Sequence, residues 1–306
     1  MSGASSRFGG SRLSAPVLGA LAMAAGAFCI AINHSLIRLI HDIPSEQIAA
    51  MRFLWAIPVM LPWMLRHRGA ALRTRRIGLH FGSALLTAGA TGTLFYALAR
   101  MPLAEATALN FTVPLFTTLI AALLLRERVD GGRWAATILG FVGVLVVLRP
   151  GFETVRPVAL MPMLAALQLA VWYLTLKRLA PTESRLTVTI YQTLFAAALL
   201  TALALPSWQT TGWQTIAATV AMGVSGSAGI FLMSWAFAAA DASVVAPIDY
   251  ARLPFVAIIA FLAFGEVPDS MTLVGAVIIT GAAIYIARRE ALADRRRRAA
   301  IADPVA

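Results

Sequence analysis

The sequence has little charge and almost no cysteine. Only 13% of its residues are charged, whereas soluble domains carry about a quarter, and its mean hydropathy is +0.79. This composition excludes an ordinary water-soluble fold. The single cysteine, Cys29, excludes a disulfide framework and a cysteine-rich metal site. Because no histidine has a second ligand at metal spacing, we predict no metal and no cofactor.

Signatures of nucleotide binding and hydrolysis are also missing. The sequence contains no Gly-x-x-x-x-Gly-Lys-Ser/Thr phosphate loop, no His-Glu-x-x-His helix and no nucleophile elbow. An ATP-driven pump or a hydrolase therefore has no visible chemistry, and we predict that the protein is not an enzyme. The formal charge of +11 lies in short blocks between apolar runs and in Arg295–Arg298, which is typical of membrane topology signals and not of nucleic acid binding.

Long hydrophobic runs fill most of the chain. A helix of about 20 apolar residues is long enough to cross a bilayer core of about 30 Å. The sequence therefore predicts an all-α integral membrane protein with ten transmembrane helices. The predicted spans, numbered one to ten in chain order, are residues 16–38, 46–65, 77–99, 103–125, 133–149, 157–178, 186–206, 213–238, 243–264 and 270–288.

One unit occurs twice in the sequence. The segment Leu94–Glu127 recurs 139 positions later as Met233–Glu266, so that Tyr96 corresponds to Trp235 and spans one to five correspond to spans six to ten. Because five is odd, the second copy enters the membrane in the opposite orientation. Two inverted five-helix repeats are a recurrent plan of secondary transporters. The predicted repeats are residues 15–150 and 151–289.

The distribution of positive charge predicts the orientation. With the amino terminus inside, the inner segments carry 19 lysine and arginine residues and the outer segments carry four. This asymmetry predicts a multi-pass protein of a bacterial-type inner membrane with both termini in the cytoplasm. Residues 1–14 are predicted to be a disordered cytoplasmic lead-in, and residues 290–306 a basic cytoplasmic tail.

Polar groups within apolar spans are candidates for a binding site, because they are costly in hydrocarbon without a partner or a cavity. Asp249 and Arg252 are three residues apart on one face of span nine, where an ion pair would suit the amino and carboxylate groups of an amino acid. The alternative is that this pair only neutralises itself and pins span nine to a neighbour. The other candidate substrate-binding residues are Asn33, His34, Tyr96, Asn110, Gln168, Trp172, Tyr173 and Trp235.

Two of these assignments have a competing interpretation, and two prolines add a further expectation. Trp172 and Tyr173 also fit an interfacial aromatic belt, because they lie close to a basic loop. Pro114 and Pro254 occupy matching places in spans four and nine, and each removes a backbone donor. We predict a kink at each proline, either as packing shape or as a flexible point for gating.

Three features of the sequence carry a resemblance to a known family. They are the Arg52-Phe53 pair, the run ALARMPLAEATALNFTVPLFTTLIAALLLRERV, and the glycine pattern of Gly140 and Gly143 with its echo at Gly275 and Gly281. With these features the sequence resembles the ten-helix, EamA-type members of the drug/metabolite transporter superfamily. The resemblance implies a secondary transporter of small organic solutes that has no ATP site. Tyr191-Gln192 replaces the Arg-Phe pair in the second repeat, which predicts that Arg52 is not needed in both halves.

The sequence thus predicts a secondary active transporter that works by alternating access and exports amino acids, including aromatic ones. The alternative within this class is a carrier of larger metabolites such as riboflavin or S-adenosylmethionine. A membrane enzyme that acts on a lipid head group, with Asp249 or Glu105 as general base, is the alternative of another class, but it lacks a second catalytic group. A channel is disfavoured, because the sequence has no ring of like charges.

The expected partners follow from the same interpretation. They are a small organic solute and membrane lipid, without nucleic acid. Protons are the expected coupling ion, because histidines such as His34 and His80 change charge near neutral pH. The chain is expected to be a monomer or a homodimer.

Overall fold

The computed structural model of the protein describes residues 15–66, 74–123, 131–148, 156–179, 181–240 and 245–302. The predicted lead-in, residues 1–14, lies outside the described residues. Within the described ranges the chain is helical and contains no strand. The α-helices are α1 (Ala15–Ser35), α2 (Ser45–Arg66), α3 (Ile77–Leu98), α4 (Leu103–Asn110), α5 (Val113–Leu123), α6 (Gly131–Leu148), α7 (Leu160–Leu179), α8 (Arg185–Ala204), α9 (Trp213–Ala239), α10 (Arg252–Phe264) and α11 (Ser270–Ala302).

Ten helical stretches in these ranges are long and apolar enough to cross a membrane. They confirm the predicted all-α membrane fold, and their ends lie within a few residues of the predicted spans. Five spans are composite. Spans one and seven end in a 3-10 helix, Leu36–Leu39 and Leu205–Ser207, and span six begins with one, Pro157–Ala159. Span four consists of α4 and α5, and span nine consists of a 3-10 helix, Ala246–Ala251, followed by α10. The last helix, α11, continues beyond its span into the predicted basic tail.

The packing of the helices follows the predicted correspondence between the two repeats. Helix α1 packs against α9, and its repeat equivalent α7 packs against α3, the equivalent of α9. In the same way α2 contacts α9 while α8 contacts α3. The pairs α2–α8 and α6–α11 each join equivalent helices of the two repeats. The two inverted five-helix repeats therefore pack against each other through several pairs of helices.

Span four breaks one turn before Pro114. Proline has no backbone N–H, so the carbonyl of Asn110 cannot receive the helical hydrogen bond from this position. The chain turns at Phe111-Thr112, and the Thr112 hydroxyl donates to the Leu109 carbonyl at 2.7 Å. Both turn residues are buried. Irregular backbone at membrane depth is thus enclosed by protein, as the bilayer requires.

The matching interruption in span nine lies near its start. The chain runs as a 3-10 helix through Ala246–Ala251 and becomes α-helical at Arg252. Pro254 stands in the first turn of α10, where a missing N–H costs little. The two repeats therefore carry an interrupted helix at equivalent places.

Glycines bring the helices into close contact. A Cβ added to Gly275 on α11 would lie 2.7 Å from the carbonyl oxygen of Gly143 on α6. A Cβ added to Gly223 on α9 would lie 2.5 Å from Cβ of Trp55 on α2. Small residues allow such close approach of helices within membranes. These contacts tie the two repeats to each other.

Candidate functional site

A cavity of about 470 Å³ lies between α2, α8 and α9. This volume lies within the range of about 300–1,000 Å³ that is usual for small-molecule sites. Its wall is mostly apolar. The cavity lies towards the end of the bundle where α2 ends and α8 begins. Its polar lining residues are Arg52, Thr189, Thr193, Ser227 and Ser234.

Arg52 lies at the deep end of this cavity. Its guanidinium carbon stands over the ring of Phe53, 4.6 Å from the centroid, and 6.0 Å from the centroid of Phe95. Helix α9 approaches through Gly226, where an added Cβ would lie 2.9 Å from Nη2 of Arg52. The Arg52 Nε atom is buried and has no hydrogen-bond partner. In the part of the chain that the structure describes, no carboxylate pairs with this arginine.

Helix α1 places Asn33 and His34 beside this arginine. The Nδ2 atom of Asn33 donates to the Met222 carbonyl at 2.6 Å and so holds α1 against α9. His34 is buried, and it lies close enough to both Arg52 and Arg252 for their charges to act on it. Its Nδ1 atom has no hydrogen-bond partner. His34 therefore lies between the cavity and a second polar group on span nine.

This second group is built around the predicted ion pair. Nη2 of Arg252 lies 3.4 Å from Oδ2 of Asp249. The guanidinium carbon of Arg252 also stands over the Phe111 ring, 4.8 Å from the centroid, at the break in span four. The ring of Tyr250 meets Phe111 edge-on with centroids 4.9 Å apart. Oδ1 of Asp249 is buried without a hydrogen-bond partner and is available to a further donor.

Helix α7 adds two aromatic residues to this group. The rings of Trp172 and Tyr173 are tilted against each other with centroids 5.0 Å apart. Tyr173 lies close enough to Asp249 and Arg252 for both charges to act on its hydroxyl. The indole Nε1 of Trp172 is buried without a hydrogen-bond partner. Of the sequence-predicted residues, Asp249 and Arg252 are thus in direct contact, His34 and Tyr173 lie within reach of their charges, and Trp172 contacts Tyr173. Tyr173 is half exposed.

Two predicted amide side chains hold helices together. The Nδ2 atom of Asn110 donates to the Pro162 carbonyl at 3.3 Å and links α4 to α7. Gln168 accepts a hydrogen bond of 3.3 Å from the Thr93 hydroxyl through Oε1. It also fills the space over Gly89, where an added Cβ would lie 2.8 Å from its Nε2. Both amides therefore have partners in the protein.

The repeat-related aromatic residues Tyr96 and Trp235 lie near the ends of their helices. The guanidinium carbon of Arg100 stands over the Tyr96 ring, 3.7 Å from the centroid. Tyr96 is 41% exposed and Trp235 is 44% exposed. Such exposure near a helix end also fits the aromatic belt at the membrane surface.

Arg52 is not among the binding residues predicted from the sequence, where it appears only as part of the family resemblance. A signal for it was present, because no acidic residue lies within five positions of Arg52 on either side. A cation in an apolar span without a nearby acidic residue is a candidate for solute contact. The hydroxyls of Thr189, Thr193, Ser227 and Ser234 were also missed, because only packing shows which face of α8 and α9 borders a cavity.

The end of the bundle opposite the cavity is closed by a set of contacts that we call the latch. It consists of Arg38, Met101, Leu103 and Glu266. Nη2 of Arg38 lies 2.9 Å from Oε1 of Glu266 and donates to the Met101 carbonyl at 2.6 Å. The Leu103 amide donates to Oε2 of Glu266 at 3.0 Å. The latch therefore joins the ends of spans one, three and nine to the start of span four.

Further polar contacts lie at the same end. Arg156 lies 3.3 Å from Glu105 and connects the start of span six with span four. Asp42 accepts hydrogen bonds from the hydroxyls of Thr211, at 2.6 Å, and Thr215, at 2.7 Å. These bonds lower the pKa of the Asp42 carboxyl below its ordinary value. They therefore stabilise the fold fully above about pH 4, and that stabilisation is lost as the pH falls through the lowered pKa.

Comparison with known proteins gives the same fold and a function class. The model of the EamA-like transporter family matches residues 17–149 and again residues 156–288. A crystal structure that is 22% identical, and covers 92% of this chain and 99% of its own, superimposes with a TM-score of 0.59. At this identity the likeness shows the fold alone.

Two curated relatives are similar over most of their length. The S-adenosylmethionine uptake transporter of Rickettsia felis is 33% identical over 253 residues, which are 83% of this chain and 86% of the relative. The riboflavin transporter of Vibrio cholerae is 33% identical over 290 residues, which are 92% of this chain and 97% of the relative. With ten membrane-spanning helices in two matched halves, the chain is a multi-pass membrane protein that belongs to the EamA-like transporter family of the drug/metabolite transporter superfamily.

Proposed function

We propose that the protein is a secondary transporter of the bacterial inner membrane that takes up a ring-bearing metabolite of the size of S-adenosylmethionine or riboflavin. The observation that carries this proposal is the cavity between α2, α8 and α9, which is large enough for such a solute. Phe231, which lines the cavity and is 58% exposed, offers a ring on which a heterocycle can pack. The names of the two relatives support the same solute class.

Alternating access explains why the cavity and the latch lie at opposite ends of the bundle. With the predicted orientation, the cavity opens towards the cytoplasm and the latch faces outwards, which corresponds to an inward-facing state. Rocking of one repeat against the other would break the latch and open the opposite side. A bound solute drives this exchange only if it contacts the two states with different free energies.

The interrupted spans are suited to this motion. Spans four and nine meet where Arg252 stands over Phe111, so that the two breaks contact each other across the halves. A helix that is already interrupted can change the angle between its two parts at low cost. We therefore assign Pro114 and Pro254 to the segments that bend during transport.

Transport into liposomes tests the proposal. Purified protein is reconstituted, and the uptake of labelled S-adenosylmethionine, riboflavin and phenylalanine is measured with and without an imposed pH difference. We expect flux of at least one of the two large solutes. Ala228→Phe, which fills the cavity, should abolish that flux, whereas Ala221→Phe, on an exposed part of α9 outside the cavity, should leave it intact. Absence of flux for both large solutes would overturn the proposal.

Export of amino acids, including aromatic ones, is the second candidate function. The observation that favours it is the Asp249–Arg252 pair, whose opposite charges lie 3.4 Å apart and act on the hydroxyl of Tyr173. A zwitterion with an aromatic side chain matches this arrangement in charge and in shape. Efflux of phenylalanine from preloaded liposomes, lost in Arg252→Ala, together with no flux of the large solutes, would favour this function over the first.

A further inference from the structure

We propose that Arg52 is the anion-binding residue of the transport cavity, so that the transported solute carries a carboxylate or a phosphate group. This inference deepens the proposed function and rests on it. It goes beyond the solute class, because it states which chemical group of the solute is recognised and by which side chain.

The first support is the missing counterion. An arginine side chain remains charged in proteins, and burial of a charge is costly unless it is paired. Arg252 is paired with Asp249, and Arg38 is paired with Glu266. Among the described residues Arg52 has only the faces of Phe53 and Phe95 as partners. A cation–π contact offsets a part of the desolvation cost and leaves the N–H donors of the guanidinium for a ligand.

The second support is the position of the side chain. Arg52 lines the cavity at its deep end, next to Gly223 and Ser227 of α9. Its guanidinium packs on Gly226, whose missing side chain leaves room for the planar group. A guanidinium can bind a carboxylate or a phosphate through two parallel hydrogen bonds. An anion that enters the cavity would therefore meet a fixed arginine at the point furthest from the entrance.

The third support is the asymmetry between the repeats. Tyr191 and Gln192 occupy the positions of α8 that match Arg52 and Phe53. Tyr191 is stacked on His80 with ring centroids 4.8 Å apart, and Gln192 donates to the Thr87 hydroxyl at 2.7 Å. These residues hold α8 against α3. Because only the first repeat supplies an arginine here, the cavity has one anion site and not a symmetric pair.

The inference separates solutes that size alone does not distinguish. S-adenosylmethionine has a carboxylate, whereas its decarboxylated form does not. Riboflavin has no anionic group, whereas riboflavin 5′-phosphate has one. In each pair the member with the carboxylate or phosphate group, called the anionic member for this group, should bind to Arg52. The comparison of the two pairs shows whether a carboxylate or a phosphate is preferred.

Transport of these two pairs of solutes is the test. In wild-type liposomes we expect the anionic member of at least one pair to be transported about tenfold to a hundredfold faster, since a charged hydrogen bond contributes about 1.5–3 kcal/mol. Arg52→Gln should remove that preference without slowing the member that lacks the carboxylate or phosphate, and Arg52→Lys should restore part of it. Arg100→Gln, which changes an exposed arginine outside the cavity, is the matched control.

The outcomes distinguish the two proposals. Equal transport of both members of each pair, in the wild type and in Arg52→Gln, would overturn the role of Arg52 and leave the proposed function standing. If no solute is transported, the proposed function fails, and titration of flavin fluorescence with the solubilised protein decides the inference. Preference for riboflavin 5′-phosphate over riboflavin supports it, and equal or absent binding of the two flavins overturns it. If Arg52→Gln does not fold, the comparison of the two members of each pair on the wild-type protein still tests the inference.

Discussion

Polar residues in the membrane interior differ in whether the protein itself supplies hydrogen-bond partners for their side chains. Asn33, Asn110 and Gln168 each have a hydrogen-bond partner on another helix, so their role in the free protein is to hold helices together. His34 and Arg52 retain buried ring or guanidinium nitrogen atoms without a hydrogen-bond partner. Trp172 and Asp249 also have a buried polar atom without such a partner. Since an unsatisfied buried polar atom costs about 1–3 kcal/mol, a proposed solute that supplies the missing hydrogen bonds would gain free energy at these residues.

Gly226→Ala tests the role of the Arg52 side chain by adding a single Cβ atom next to it. The added Cβ would lie 2.9 Å from Arg52 Nη2 and 3.1 Å from Asn33 Nδ2, which are the ends of side chains and not backbone. We therefore expect the guanidinium to be displaced while the helices stay in place. Uptake of the preferred solute should fall about tenfold, as expected for one weakened charged hydrogen bond. Thermal unfolding in detergent should change little.

The control for this variant is Gly82→Ala on α3, where nothing lies within 4 Å of the added Cβ. It should retain wild-type uptake. Unchanged uptake in Gly226→Ala would mean that the position of the Arg52 side chain does not matter for transport. Equal loss of uptake in both variants would mean that the effect comes from general changes in helix packing.

At the scale of the helices, hydropathy and charge were sufficient to predict the spans, because every span must be apolar for about 20 residues. The same reasoning placed a kink at Pro114, but the chain turns earlier, at Phe111-Thr112, since the missing N–H of Pro114 acts on the preceding turn of the helix. Pairing of Asn33 with Met222 joins residues 189 positions apart and has no sequence signal. The cavity depends on such contacts between helices, which is why its lining was not predicted.

Gly275→Ala tests the contact between the two repeats at α6 and α11. Its Cβ would lie 2.7 Å from the Gly143 carbonyl oxygen and 2.5 Å from Cγ2 of Val147. Because one of these atoms belongs to the backbone, the helices must separate, and we expect a loss of about 1–3 kcal/mol in the free energy of unfolding. The midpoint of thermal unfolding should fall. Gly281→Ala on the same helix, with nothing within 4 Å, should keep it or raise it; equal midpoints for both variants would contradict the close packing.

At the scale of the whole molecule, the proposed alternating access requires inward-facing and outward-facing states of similar energy, which two inverted repeats can provide, so that few contacts would decide between them. The latch is such a contact, because it joins residues of both repeats at the end opposite the cavity. Arg38 and Glu266 are partly exposed, with 21% and 24% of their side chains accessible. A partly exposed pair contributes only a modest free energy, which suits the proposed role of a contact that breaks during transport.

Glu266→Ala should shift the population towards the outward-facing state. It removes both the ion pair with Arg38 and the hydrogen bond from the Leu103 amide. A cysteine introduced at Thr107, a buried position on α4, reports the opening in a Cys29→Ala background. Labelling from outside by a membrane-impermeant maleimide should accelerate about three- to tenfold, because one to two weak polar contacts are lost.

The control, Asp42→Ala, removes a carboxylate at the same end whose partners are Thr211 and Thr215, and it should leave labelling unchanged. If Glu266→Ala does not accelerate labelling, or Asp42→Ala accelerates it equally, the latch does not hold the closed state.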